Sequence, residues 1–192
     1  MSIEFEIKTA FLKALSNLSA KKDLRTYLQG VAIICKDNEL SLVATDGHVF
    51  GRLYKNITLP DFSLIIEGKD VVKLCTLYKT STLSFGFDKT SYDDRVIDYS
   101  VNNTMFTACD SKFPDFYWLL WSNTIPDGKA NNYDLELLSK FVKVSKDLGC
   151  KKYTGVWGME HSSEKENARM LLPKDTDIGE WCFDGLIARA RY

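Results

Sequence analysis

The sequence predicts an α+β fold with helices on one face of antiparallel sheets. Three observations point to it. Amphipathic helical stretches recur three times in 192 residues. Short apolar segments joined by polar turns follow each of them. No such stretch can bury its apolar side alone, so neighbouring units must share one core.

The first unit opens with a strand at residues 3–7 and a helix at about 9–20. Phe11, Leu12, Leu15 and Leu18 recur at helical spacing, and Thr9 suits the N-cap. Extended segments at 30–35 and 40–44 flank Lys36-Asp37-Asn38-Glu39, which reads as a hairpin turn. Asp46-Gly47 marks a second tight turn before a strand at 48–54. The second unit repeats the order. A strand at 62–66 precedes a helix at 69–79 with Val71, Leu74, Cys75 and Tyr78 inward, and strands follow at 83–87, 96–100 and 105–109. The third unit has a helix at about 133–148, with Leu135, Leu138, Phe141, Val142 and Leu148 on its apolar side and Gly149 as its stop. Strands at 153–159, 170–172 and 183–191 complete it, with a polar loop at 161–167. The repeat is one of architecture, without convincing sequence identity between units. The expected division is a domain of two half-units over 1–120, a linker over 121–132 around Pro126 and Gly128, and a third half-unit over 133–192.

Composition excludes several classes. The hydrophobic fraction of 45% and charged fraction of 27% are those of an ordinary globular chain. No apolar run approaches the roughly 18 residues of a membrane span. The start, Met1-Ser2-Ile3-Glu4-Phe5-Glu6, lacks the basic and apolar regions of a signal peptide, so a cytoplasmic location is expected. Cys35, Cys75, Cys109, Cys150 and Cys182 are odd in number and widely spaced, and His48 and His161 are the only histidines. Neither a disulfide framework nor a metal site is expected from that spacing.

The net charge of −1 hides an uneven distribution. Residues 8–27 carry +4, 69–79 carry +2 and 134–152 carry +2, which leaves −9 for the rest. Lysines on the outer face of one helix are first of all solvated. The same bias on three helices suits a phosphate backbone, which lysine neutralises without reading bases. Lys13, Lys21, Lys22, Arg25, Tyr27, Lys69, Lys73, Lys140, Lys143 and Lys146 are the candidate DNA-contacting residues.

The segment Leu24-Arg25-Thr26-Tyr27-Leu28-Gln29-Gly30-Val31 is followed by Leu42-Val43-Ala44-Thr45-Asp46-Gly47-His48, and later by Phe113-Pro114-Asp115-Phe116. In order and spacing these motifs resemble the second domain of the bacterial DNA polymerase III β subunit, the sliding clamp, over residues 1–120. The resemblance implies a DNA-clamp-like fold and no catalysis. It also implies a pocket for short peptides of polymerases and repair proteins, at Leu28, Thr45, Gly47, His48, Phe50, Pro114 and Leu119. Leu186 and Ile187 stand where the family has its C-terminal pocket wall. His48 has an alternative reading as a structural histidine. Family protomers hold six half-units, whereas this chain has three, so a ring of twelve units implies a homo-oligomer of four copies. Trp118 and Trp121 also depart from the family pattern, as core or as partner surface.

The function so implied is a processivity factor on duplex DNA that tethers a polymerase, served by a clamp loader. Its compact size suits a phage or mobile element. The alternative is a non-encircling, clamp-derived module that captures clamp-binding peptides and modulates a host clamp. A hydrolase built on Asp46 and His48 lacks a third partner and a nucleophile signature.

Overall fold

A computed structural model describes residues 2–79, 81–88, 94–116, 133–150, 158–161, 168–172, 176 and 178–188. The sequence-predicted linker at 121–132 and the loop at 162–167 fall outside them, as do Trp118, Leu119 and Trp121.

Unit 1 comprises β1 (Ser2–Lys8), α1 (Thr9–Ser16), β2 (Val31–Lys36), β3 (Glu39–Thr45) and β4 (Val49–Asn56). Unit 2 repeats it as β5 (Phe62–Ile66), α2 (Gly68–Leu77), β6 (Thr82–Asp88), β7 (Asp98–Val101) and β8 (Thr104–Thr107). The two units exchange their first strands. β1 pairs with β6 of unit 2, while β5 pairs with β2 of unit 1. The result is two sheets of matching order, β1-β6-β7-β8 and β5-β2-β3-β4, related by an approximate two-fold. Unit 3, α3 (Leu135–Asp147), β9 (Gly158–His161), β10 (Ala168–Leu171) and β11 (Cys182–Ile187), extends the second sheet, because β11 pairs antiparallel with β4. That sheet then reads β5-β2-β3-β4-β11-β10-β9.

Strand alternation sets the faces. In β1 every second residue is buried, with Ile3, Phe5 and Ile7 inward. Phe5, Phe85, Tyr99 and Phe106 stack in sequence across the four strands of the first sheet. One core joins these rings to Leu12, Leu15 and Leu18 after and within α1, to Val71 and Leu74 of α2, and to Phe141 and Val144 of α3. Gly51 and Gly185 face each other across β4 and β11. A side chain at Gly51 would collide with Leu18, and one at Gly185 would crowd Phe141 and Phe183, so small residues at this seam let the helical layer press onto the sheet.

Local chemistry fixes the turns and ends. The β2–β3 turn has Asp37 and Asn38 at φ 51° and 63°, the two left-handed residues of a tight hairpin. Gly149, at φ 83°, ends α3, with its amide donating to Lys146 O and that of Cys150 to Ser145 O. Asp134 caps the start of α3 by accepting from the Glu136 amide at 2.7 Å.

Three expectations need correction. Thr9 is not an N-cap. β1 runs directly into α1, Lys8 takes the cap position, and the Thr9 hydroxyl donates to Ser81 O at 2.7 Å. α1 stops at Ser16 rather than Ala20, because the Ser16, Asn17 and Ser19 side chains bond back to carbonyls of the preceding turn. Leu135 and Val142 are not in the core. They are 80% and 59% exposed, whereas Phe141, Val144 and Leu148 point into it and Leu137 and Leu138 pack against it.

Candidate functional site

The two related sheets differ on their outer faces. The first presents Glu4, Glu6, Ser84 and Asp88 to solvent. The second carries an apolar cluster of Ala32, Val43, Phe50, Ile65 and Leu186, covered by Phe113 and Phe116. Register explains the placement. Thr45 lies opposite Phe50 across β3–β4, and Phe50 lies opposite Leu186 across β4–β11. Directly opposed residues share a face, so these three candidates, distant in sequence, form one row at the seam between units 1 and 3. The Phe116 ring lies 5.5 Å from that of Phe50, and Tyr27 meets Phe113 edge-on at 6.0 Å.

The turn at one end of this row is held by its own side chains. Thr45 Oγ1 donates to Val49 O and accepts from the Gly47 amide. Asp46 accepts from the amides of His48 and Val49 at 2.8 Å each. Gly47 has φ 92°, which favours glycine. This geometry leaves His48 exposed while its carbonyl accepts from the Ala188 amide. Burial opposes the charge of Asp46, but Lys140 of α3 and the two amides outweigh it and hold the carboxyl below its ordinary range. The Lys140–Asp46 pair ties the turn to the third helix.

Among the remaining pocket candidates, Leu28 is buried and Pro114 is exposed. Leu119 lies outside the described residues. Ile187 does not belong to the outer row. It is opposite Val49 and fully buried in the inner core, because alternation along β11 turns it away from Leu186. Sequence reading missed Phe113, Phe116, Val43 and Ile65. The aromatic pair in Phe113-Pro114-Asp115-Phe116 was the available signal. It also missed Arg52, buried beside the row, which donates to Glu39 at 2.7 Å and to Asp184 at 2.8 Å and lies 3.9 Å over the Tyr54 ring. Asp184 also accepts from Arg169 at 2.7 Å.

On the opposite side, α2, α1 and α3 lie side by side. α1 and α2 are antiparallel: the start of α2 shares a groove with Ser16 and Asn17 at the end of α1, while Thr9 meets Ser81 just beyond α2. This groove, of about 1160 Å3, gathers Lys21, Lys22, Lys69, Lys140 and Lys143. Asp23, Asp46, Glu67 and Glu136 line it too. Several cations are already paired: Lys69 with Glu67, Arg25 with Asp23, and Lys13 with Asp147. Lys13, Lys73 and Lys146 are exposed but outside the groove, and Lys73 sits 5.0 Å over the Phe106 ring. Tyr27 is placed with the apolar cluster, where its ring packs on Phe113, and it also meets the Arg25 side chain.

No protein-family model matches the sequence. Curated β sliding clamps do resemble it. That of Proteus mirabilis is 31% identical over 129 residues, covering 63% of this chain and 35% of that protein. That of Buchnera aphidicola from Rhopalosiphum padi is 28% identical over 191 residues, covering 94% and 49%. The chain therefore spans about half or less of the curated relatives it matches. Among solved structures, the sliding clamp of Pseudomonas aeruginosa matches with a TM-score of 0.66 at 14% identity, over 99% of this chain and 67% of that one. A putative DNA polymerase III β subunit from Eubacterium rectale matches with a TM-score of 0.68 at 12% identity, over 99% and 66%. The chain thus has the sliding-clamp fold and resembles bacterial β sliding clamps in sequence.

Proposed function

We propose that this chain is a sliding-clamp-like processivity factor. It associates with duplex DNA through its helical layer and holds polymerase or repair proteins by short peptides at the seam of β4 and β11. The observation that supports it most is the groove between α1, α2 and α3, where five basic residues converge in a clamp fold. Lysines on adjacent helices bind a phosphate backbone without base contacts and allow sliding. The reading needs no cofactor and no catalysis. It places the protein in the cytoplasm with DNA, as an oligomer served by a loader, and fits a phage-encoded protein. No helix among the described residues is long and apolar enough to cross a membrane.

The test is duplex binding across a salt series. Replacing Lys21, Lys22, Lys69 and Lys143 by glutamate is expected to weaken binding and flatten the salt slope by about 0.9 for each phosphate no longer neutralised. Unchanged binding refutes the groove. For the partner site, a labelled clamp-binding peptide is expected to saturate the native protein near micromolar affinity, as few buried anchors allow. His48→Ala together with Phe50→Ala is expected to abolish it. His48→Ala alone, at an exposed side chain, separates a binding defect from a folding one.

One observation favours the non-encircling alternative. Two of the groove's five lysines, Lys69 and Lys140, are partnered by its acidic residues Glu67 and Asp46, which weakens its field. Peptide binding retained without any duplex binding supports that reading.

A further inference from the structure

We propose that residues 113–116 are an internal occupant of the candidate partner site, so that a partner peptide must displace the Phe116 ring to reach Phe50 and Leu186. The segment that follows β8 has no regular secondary structure, and it is laid on the second sheet as a docked peptide is. Lys112, Pro114 and Asp115 are exposed, whereas Phe113 and Phe116 are 5% and 3% exposed. Two apolar anchors three residues apart on a short polar segment are what an apolar groove accepts from a peptide. Here the chain supplies both. The Phe116 ring lies 5.5 Å from that of Phe50 and 6.3 Å from that of Phe113, and the Arg52 guanidinium lies 5.9 Å from its centre. Phe50 and Leu186 are each only 5% exposed in this cluster. An incoming apolar side chain finds the row already covered.

The two ends of the segment are placed differently. At its root the Cys109 amide donates to Ile65 O at 2.9 Å, the hydroxyls of Thr26 and Ser111 share a hydrogen bond of 2.9 Å, and Phe113 meets Tyr27 edge-on. Phe116 lies at the far end, on Phe50 beside the seam of β4 and β11. Its departure strands no charge, because Arg52 keeps its bonds to Glu39 and Asp184 and its place over the Tyr54 ring. The root therefore stays in place while the Phe116 ring exchanges with a ligand's anchor. Such an exchange lowers the apparent affinity by the fraction of chains whose site is open. This regulation rests on the partner-site part of the proposed function and requires no DNA.

Titration of a labelled clamp-binding peptide against the native chain and Phe116→Ala tests it. The variant is expected to bind at least about fivefold tighter, since no ring has to leave first. In stopped-flow mixing the native association rate is expected to level off at high peptide concentration, at the rate at which Phe116 leaves, while that of the variant keeps rising. Phe116→Leu keeps an apolar side chain at the position and is expected to give a smaller gain of the same sign. It takes the place of the alanine variant if circular dichroism shows that one unfolded. Peptide bound by the variant and not by the native chain also supports the proposal. Binding by the native chain as tight as by the variant, or tighter, overturns the proposal and leaves the partner site standing. Binding by neither protein overturns both.

Discussion

Units 1 and 2 close on each other, whereas unit 3, among the described residues, joins the molecule mainly along unit 1. The pair exchange first strands, stack aromatic rings across a four-stranded sheet and leave that sheet with a polar outer face. Unit 3 adds three strands and a helix to one edge, and its helix keeps two large apolar side chains in solvent. The difference shows where stability and function separate. The exchanged strands tie units 1 and 2 to each other by backbone pairing on both sheets. The seam with unit 3 creates the row Thr45, Phe50 and Leu186, so the candidate partner site depends on the less complete half of the molecule.

The sharpest way to break the comparison is at the seam. Asp184 is buried and accepts from both Arg52 and Arg169. Asp184→Ala leaves Arg52 with less compensation in a buried position and is expected to cost about 3–5 kcal/mol, read by urea unfolding. If the units differ as described, the loss falls first on unit 3, visible as early hydrogen exchange in β9 to β11. Leu12→Ala acts on the sealed side instead. Leu12 is fully buried, and its truncation is expected to cost about 2–5 kcal/mol. Val142→Ala in unit 3 is expected to stay within about 0.5 kcal/mol under conditions that keep the chain monomeric. Equal effects at Leu12 and Val142 would erase the distinction.

Lys140→Met weakens the tie between α3 and the Asp46 turn. A loss of about 1–3 kcal/mol is expected at pH 7, where the half-buried carboxylate loses its charged partner. The pH dependence has a defined sign. The folded-state value of Asp46 lies below its unfolded value, so the native advantage over the variant is full above the unfolded value near pH 4. It fades as pH falls through the folded value. Paired urea titrations of the two proteins along a pH series read that difference. A difference that grows as pH falls contradicts the pairing.

Much of this contrast was legible in sequence, and the rest was not for physical reasons. Period-2 and helical patterns located the three α-helices and most strands of the described residues, with the β5 strand at 62–66 placed to the residue. Asp37-Asn38 and Gly149 acted as the turn and stop that their chemistry suggests. Strand exchange was not legible, because pairing between β1 and β6 joins segments some 80 residues apart that no local pattern links. Nor was the exposure of Leu135 and Val142. The helix offers more apolar side chains than the core accepts, and its rotation against the sheet, set by tertiary packing, decides which remain outside. At the candidate partner site, Thr45, Phe50 and Leu186 were expected together and share one row. Ile187 fell away because one residue along a strand reverses the face. Lysine clustering was visible in composition, whereas its pairing with Asp23, Glu67 and Asp147 needed the folded chain.

A small pairwise effect is expected between units 1 and 3 on the helical surface. Lys13 of α1 reaches Asp147 of α3 at 2.7 Å, and Asn17 donates to the same carboxylate at 2.8 Å. Lys13 is mostly exposed, so water and salt screen the pair. A double-mutant cycle of Lys13→Ala and Asp147→Ala is expected to give a coupling of about 0.2–1 kcal/mol. It should shrink further at about 1 M salt, where the screening length is near 3 Å. The hydrogen bond and charge of Asp147 raise the Lys13 value above that of a free lysine. The coupling is therefore present below the unfolded value near pH 10.4 and lost as pH rises through the folded one. A coupling above about 2 kcal/mol that resists salt would mean this ion pair carries the docking of unit 3. The seam at Arg52 and Asp184 would then be secondary, and the order of effects expected here would reverse.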